Sequence, residues 1–153
     1  MTFQVNWELT LPKPRPFVPK IVGTKQLKML HLTDAHPDLY YTPGSNSKCG
    51  ESVCCRATAP GHNHSCGYWS ETDGVCDTPI PFAERGFQHM STEHKDLDFV
   101  IWTGDNIPHD TWNTSVDGNL RHTKVMTDLV GKAFAGKQVF PSLGNHEGHP
   151  AHM

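Results

Sequence analysis

The sequence predicts an α/β fold built on parallel strands, and three observations carry that reading. Apolar runs at 27–33, 98–103 and 138–143 have the length and composition of strands. Helically spaced apolar segments separate them. Each run also stops at a polar cluster: Asp34-Ala35-His36, Gly104-Asp105 and Gly144-Asn145-His146-Glu147. Strands alternating with helices indicate a sheet joined by crossover connections. Ligands of such sheets bind beyond the carboxyl ends of the strands. Three clusters distant in sequence would therefore meet at one edge.

The elements follow in order. Residues 12–19 read Pro-Lys-Pro-Arg-Pro-Phe-Val-Pro, an extended and semi-rigid segment. Residues 1–24 are thus a Pro-rich linker with the remnant of an upstream segment, and the domain proper occupies 25–153. Leu27 to Thr33 is the first strand. Residues 37–79 are rich in Pro, Gly, Ser, Asn and Cys, with no period, and read as a long loop. Loops of that length are functional or stapled. All five cysteines, Cys49, Cys54, Cys55, Cys66 and Cys76, fall inside it. A zinc knuckle would space them as paired C-x2–4-C units. The adjacent Cys54-Cys55 pair fits a disulfide-stapled loop in an oxidising compartment better. Two glycosylation sequons, at Asn63 and Asn113, point the same way.

Pro81 to His94 carries Phe82, Ala83, Phe87 and Met90 at loosely helical spacing, with Asp77 or Thr78 as cap and Gly86 inside. Asp98 to Thr103 is a buried strand. Val116 to Ala135 is the clearest helix, with Leu120, Met126, Leu129, Val130, Ala133 and Phe134 on one face and Gly136 to stop it. Gln138 to Leu143 is the third strand, in which Pro141 marks an edge, a bulge or an end.

Bulk properties exclude some functions. The 153 residues allow one domain with one modest core. The net charge of −3 leaves no basic footprint, so no nucleic-acid binding is expected. No stretch is long and apolar enough to cross a bilayer, and Met1 to Leu11 lacks the pattern of a signal peptide. The eleven histidines are many, and metal and acid–base chemistry draws on such a surplus.

The polar clusters suit a two-metal site. Asp34 and His36 are two apart, so at an extended strand end both side chains share a side. Carboxylate plus imidazole suits zinc, iron or manganese. Asp105 can offer one oxygen to each of two ions, and Asn145 an amide oxygen to the second. Gly104 and Gly144 let the backbone turn sharply. Two ions about 3.5–4 Å apart clamp a phosphoryl oxygen and activate water. His109 and His146 are placed to protonate the leaving oxygen or stabilise phosphoryl charge. His31 reads as a satisfied core or edge residue. His62, His64, His149 and His152 read as loop residues without an identified partner.

These motifs match the calcineurin-like metallophosphoesterase signature. With Cys49-Gly-Glu-Ser-Val-Cys-Cys55, Gly67-Tyr-Trp69, Cys76-Asp-Thr-Pro79, Trp102-Thr-Gly-Asp105 and His109-Asp110, the chain resembles the acid sphingomyelinase (sphingomyelin phosphodiesterase) family from about Leu27 to Glu147. The resemblance implies the N-terminal half of an α/β/β/α sandwich with a disulfide-stapled loop after the first strand. It implies two Zn2+, one on Asp34 and His36, the other on Asn145, with Asp105 bridging. His109 and His146 would be the catalytic pair. It further implies disulfides Cys49–Cys54 and Cys55–Cys76, which leave Cys66 free or paired otherwise. The implied reaction is hydrolysis of sphingomyelin to ceramide and phosphocholine, in lysosomes or outside the cell. A saposin-like domain would meet the membrane lipid surface. Three zinc-binding histidines that the family takes from a second half have no counterpart here, nor has the saposin-like domain. The expectation is a fragment with little activity alone. Asn106 is a variation expected to be tolerated. Competing readings are a phosphodiesterase for nucleotides or other phosphoesters, and a non-catalytic secreted glycoprotein or binding module.

Overall fold

A computed structural model describes residues 23–61, 66–71 and 74–151. The expected linker, 1–24, therefore lies almost wholly outside the described residues, as do His62, Asn63, His64 and His152.

The elements run β1 (Met29–Leu32), β2 (Pro37–Asp38), β3 (Thr78–Pro79), α1 (Ile80–Glu93), β4 (Phe99–Trp102), α2 (Val116–Ala133) and β5 (Gln138–Pro141), with a short 3-10 turn at Thr111–Asn113. The main sheet has the order β1-β4-β5, all parallel. Leu32, Trp102 and Pro141 lie in register near the carboxyl ends. Pro141 ends an edge strand, where its missing N–H costs no ladder bond.

Alternation divides the sheet faces. Leu32, Val100 and Trp102 face Ala83 and Phe87 of α1, and Met126, Val130 and Phe134 near α2, in one buried core. The opposite face carries Met29 and Phe140, both exposed, with Phe99 edge-on against Phe140.

Two expectations about the helices change. α1 is capped by Pro79 with no side-chain bond, because Thr78 lies in β3 and Asp77 is engaged elsewhere. On α2 the N-cap is Ser115, whose Oγ accepts from Gly118 N. Its buried stripe is Asn119, His122, Met126 and Val130. Leu120, expected in that stripe, is 63% exposed. The first turns of α2 face the polar loop at 147–148 rather than the apolar core, so the stripe there is polar.

Residues 37–79 are irregular but cross-braced. β2 and β3 pair in parallel and close the loop at its base. Inside, Cys55 N donates to Asn46 O, Val75 N to Ser47 O, and Cys54 N to Val75 O. Cys49–Cys54 is a disulfide, as the resemblance implied. Cys66 departs from the implied scheme. Its sulfur joins Cys55, and the Cys55–Cys76 contact is present too.

Candidate metal centre

The β1–β4 ladder continues past the strands and delivers the motifs. Thr103 N donates to Leu32 O at 3.0 Å, Asp34 N to Gly104 O at 3.2 Å, and His36 N to Asp105 O at 3.1 Å. Ser142 N donates to Trp102 O at 2.8 Å and brings in the third motif. Asp34, His36 and Asp105 all have positive φ, at 52°, 38° and 58°. This corrects the expected extended strand end: left-handed backbone, not a continuing strand, turns the Asp34 and His36 side chains together. Non-glycine residues in that region are uncommon and cluster at functional sites.

The glycines act differently from each other. Gly104 has φ +88°, and a Cβ there would lie 2.2 Å from Gly144 N. Gly144 has no unusual φ; a Cβ on it would lie 2.3 Å from Asp105 Oδ1. The two loops approach backbone to backbone, and only glycine leaves the room. Glu147 locks the approach by accepting from Asp105 N (3.0 Å), Asn106 N (2.6 Å) and Gly144 N (2.5 Å). Asp105 Oδ1 in turn accepts from His146 N at 2.9 Å. Asn145 is exposed in this loop, between those two anchored residues.

The donors fit a metal. Ligand atoms of Asp34, His36 and Asp105 lie within 4.8 Å of one another. His36 Nδ1 contacts Ile107 O at 2.7 Å, so Nδ1 carries the proton and Nε2 keeps a free lone pair. That Nε2 is 3.8 Å from Asp34 Oδ1, a separation one ion can span. Asp34 stays ionised below the usual carboxylate range, chiefly through the Thr33 hydroxyl, with burial opposing and the His36 ring assisting. Three protein donors of mixed O and N type are what a catalytic zinc holds.

His109 and His146, expected as the acid pair, are brought here. The His36 and His109 rings lie 3.9 Å apart, and His146 stands edge-on to them at 4.9 and 5.0 Å. Ligand atoms of these three imidazoles also fall within 4.8 Å.

Several residues that hold the site escaped the sequence reading. Asp77 accepts from His109 N at 2.7 Å, and its other oxygen meets His109 Nδ1 at 2.6 Å, leaving Nε2 toward the site. Arg56 forks onto Asp38 at 2.8 and 3.1 Å and reaches Asp110 at 2.7 Å. Burial would pull the Arg56 pKa down, but the bonds to Asp38 and Asp110 outweigh it and raise it. Asn119 Nδ2 donates to Glu147 O and Gly148 O, both at 3.1 Å. Asn106, expected only to be tolerated, accepts from Trp102 Nε1 at 3.1 Å. The one available signal was proximity to a motif, for Asp77 and Asn106; Arg56 had none. His149, read as partnerless, meets Thr114 Oγ1 at 3.0 Å, and His31 is satisfied at the sheet edge by Thr103 Oγ1 at 3.0 Å.

No family model matches the chain. Among characterised proteins, it is 38% identical over 150 residues to sphingomyelin phosphodiesterase B of Dictyostelium discoideum, covering 93% of this chain and 23% of that protein. It is 34% identical over 126 residues to the sphingomyelin phosphodiesterase of Homo sapiens, covering 80% and 20% respectively. A cyclic GMP-AMP phosphodiesterase of Bos taurus is 30% identical over 138 residues, covering 88% and 29%. The chain thus spans 20–29% of the length of these relatives.

Proposed function

From its homology with the sphingomyelin phosphodiesterases of the acid sphingomyelinase family over most of its length, we propose that this chain carries part of a zinc-dependent sphingomyelin phosphodiesterase. The observation that carries the reading is the trio Asp34, His36 and Asp105 with His36 Nε2 kept free by Ile107. Asp34 and His36 would hold one ion, Asp105 would bridge, and Asn145 would serve the other. Bound zinc supplies Lewis acidity toward a phosphoryl oxygen and a water acidified to near neutral pH. The remaining work falls to the chain's own groups. His109, steadied by Asp77, and His146, anchored through its backbone on Asp105, hold protons beside the leaving oxygen and favour phosphoryl negative charge.

The sheet supports the sandwich architecture. Parallel sheets are normally covered on both faces, and here Met29 and Phe140 stand exposed opposite the helices. A second sheet over that face is the α/β/β/α arrangement. Among the described residues Asp105 and Asn145 are the two this reading assigns to the second ion. The disulfides fit an oxidising compartment, lysosomal or extracellular. Asn113 is exposed, as a glycan acceptor must be. No described helix is long and apolar enough to cross a membrane; contact with lipid would fall to a saposin-like domain.

Calorimetry with zinc tests the reading. One ion per chain is expected, lost in Asp34→Ala and His36→Ala and kept in His109→Ala. Loss in His36→Ala and His109→Ala with the ion kept in Asp34→Ala would move it to the three imidazoles and overturn the ligand assignment. The 153 residues should release phosphocholine from sphingomyelin slowly or not at all; full turnover would overturn the incomplete-site reading. The likeness to a cyclic GMP-AMP phosphodiesterase favours a nucleotide phosphodiester as the second substrate to compare.

A further inference from the structure

Two disulfides within the loop use four of its five cysteines. Cys49–Cys54 takes two. The sulfurs of the other three, Cys55, Cys66 and Cys76, lie within 4.8 Å of one another. One sulfur forms one disulfide. Cys55 therefore has two ready partners, and whichever it leaves is a thiol beside the bond.

That is the arrangement in which a thiolate attacks a neighbouring disulfide. We propose that Cys55, Cys66 and Cys76 form a thiol–disulfide exchange centre that sets how firmly Asp77 holds His109. For the role of His109 this rests on the phosphodiesterase reading above. In the exchange, the Cys66 thiolate attacks Cys55 Sγ, and a Cys55–Cys66 bond forms as the Cys55–Cys76 bond breaks. Cys76 leaves as thiolate and takes up the proton that Cys66 released. One disulfide is lost and one gained, so no external oxidant or reductant is consumed.

The surroundings favour this internal route. Cys55 is fully buried and Cys66 is 5% exposed, so dissolved thiols reach them poorly. Ser45 Oγ lies 3.5 Å from Cys66 Sγ and bonds Thr42 O at 2.6 Å, so a hydroxyl stands within reach of the thiol. Cys66 is further fixed by its N–H on Ser45 O and its carbonyl on Gly44 N.

The consequence runs through one peptide bond. Cys76 precedes Asp77, whose two oxygens take the His109 N–H and Nδ1. Paired with Cys55, Cys76 is tied to a residue held by Asn46 O and Thr42 N. Paired with Cys66, Cys55 no longer tethers Cys76, and the segment carrying Asp77 keeps only its hydrogen bonds.

The experiment maps thiols in the full chain without metal or substrate. Exchange is stopped with acid, the chain unfolded, and thiols alkylated with N-ethylmaleimide before proteolysis and mass spectrometry. The label should divide between Cys66 and Cys76, with both Cys55–Cys66 and Cys55–Cys76 peptides recovered. Label confined to one cysteine, label on all three, or a disulfide between chains would each overturn the centre. Cys66→Ser and Cys76→Ser then lock one pairing each. Hydrogen exchange of the His109 amide should be several-fold faster in Cys76→Ser than in Cys66→Ser; equal rates would sever the link to His109. Since neither readout uses zinc or turnover, failure here leaves the phosphodiesterase reading standing, and failure of that reading leaves the mapping result intact.

Discussion

Around Val100 the chain is held by apolar packing. Val100 is fully buried, and α1 and α2 close over it with Phe87, Met126 and Val130. Around Arg56 almost nothing of that kind is present. There a guanidinium 13% exposed bridges Asp38 and Asp110, stacks over Tyr40 with its carbon 5.4 Å from the ring centroid, and sits beside a cluster of sulfurs. The two regions meet at the candidate metal centre: the sheet supplies Asp34, His36 and Asp105, and the loop supplies Asp77 behind His109. The contrast shows two ways to fix a polar side chain at the candidate site. A periodic segment does it by burying one face. An aperiodic loop, without a period to bury, does it by covalent and charged links, each of which matters singly.

That difference can be broken from either side. Arg56→Ala strands two buried carboxylates and should cost about 3–5 kcal/mol, read by urea denaturation. A change below 1 kcal/mol, roughly the worth of a surface pair, would show that the loop does not depend on this link. Met126→Ala leaves a cavity under the sheet and should cost about 2–5 kcal/mol. Hydrogen exchange tells the two apart: Met126→Ala should loosen the amides of β4 and α2, Arg56→Ala those of 38–56. Identical patterns would mean that the regions unfold as one unit.

Asp77→Asn keeps the shape but faces the His109 amide with an acceptor-poor group. If the proposed zinc phosphodiesterase reading holds, kcat of an active, zinc-loaded form should fall roughly 10–100-fold with little change in KM, a share of the ~10²–10⁴ that a positioned proton donor contributes. A change confined to KM would remove Asp77 from the positioning of His109. The smallest effect is in acid. Asp34 has its pKa lowered on folding, so its contribution is present above its ordinary 3.8 and is lost as pH falls through the folded value. Thr33→Val should move the Asp34 midpoint, followed by NMR, up toward 3.8. No movement would leave the hydroxyl without a role.

The convergence of the three motifs was legible in the sequence, because each motif ends a strand and parallel strands end together. β1, β4, α2 and β5 lie within a few residues of their expected positions. Leu120 misled, since a helix stripe continues only while its neighbour stays apolar, and the neighbour at the start of α2 is a polar loop. Arg56 and Asp110 pair across 54 residues of chain, and no periodicity marks such a pair.

The sequence by itself determined the chemistry available: which oxygens and nitrogens close each strand, and that five cysteines share one loop. Tertiary structure decided how those groups are presented. Left-handed backbone at Asp34, His36 and Asp105 aims the donors. Glycine at 104 and 144 admits two backbones at a distance a Cβ would forbid. The meeting of Cys66 with Cys55 makes the implied pairing one of two. Composition and period report what a segment can bury; they do not report which distant atom it will face.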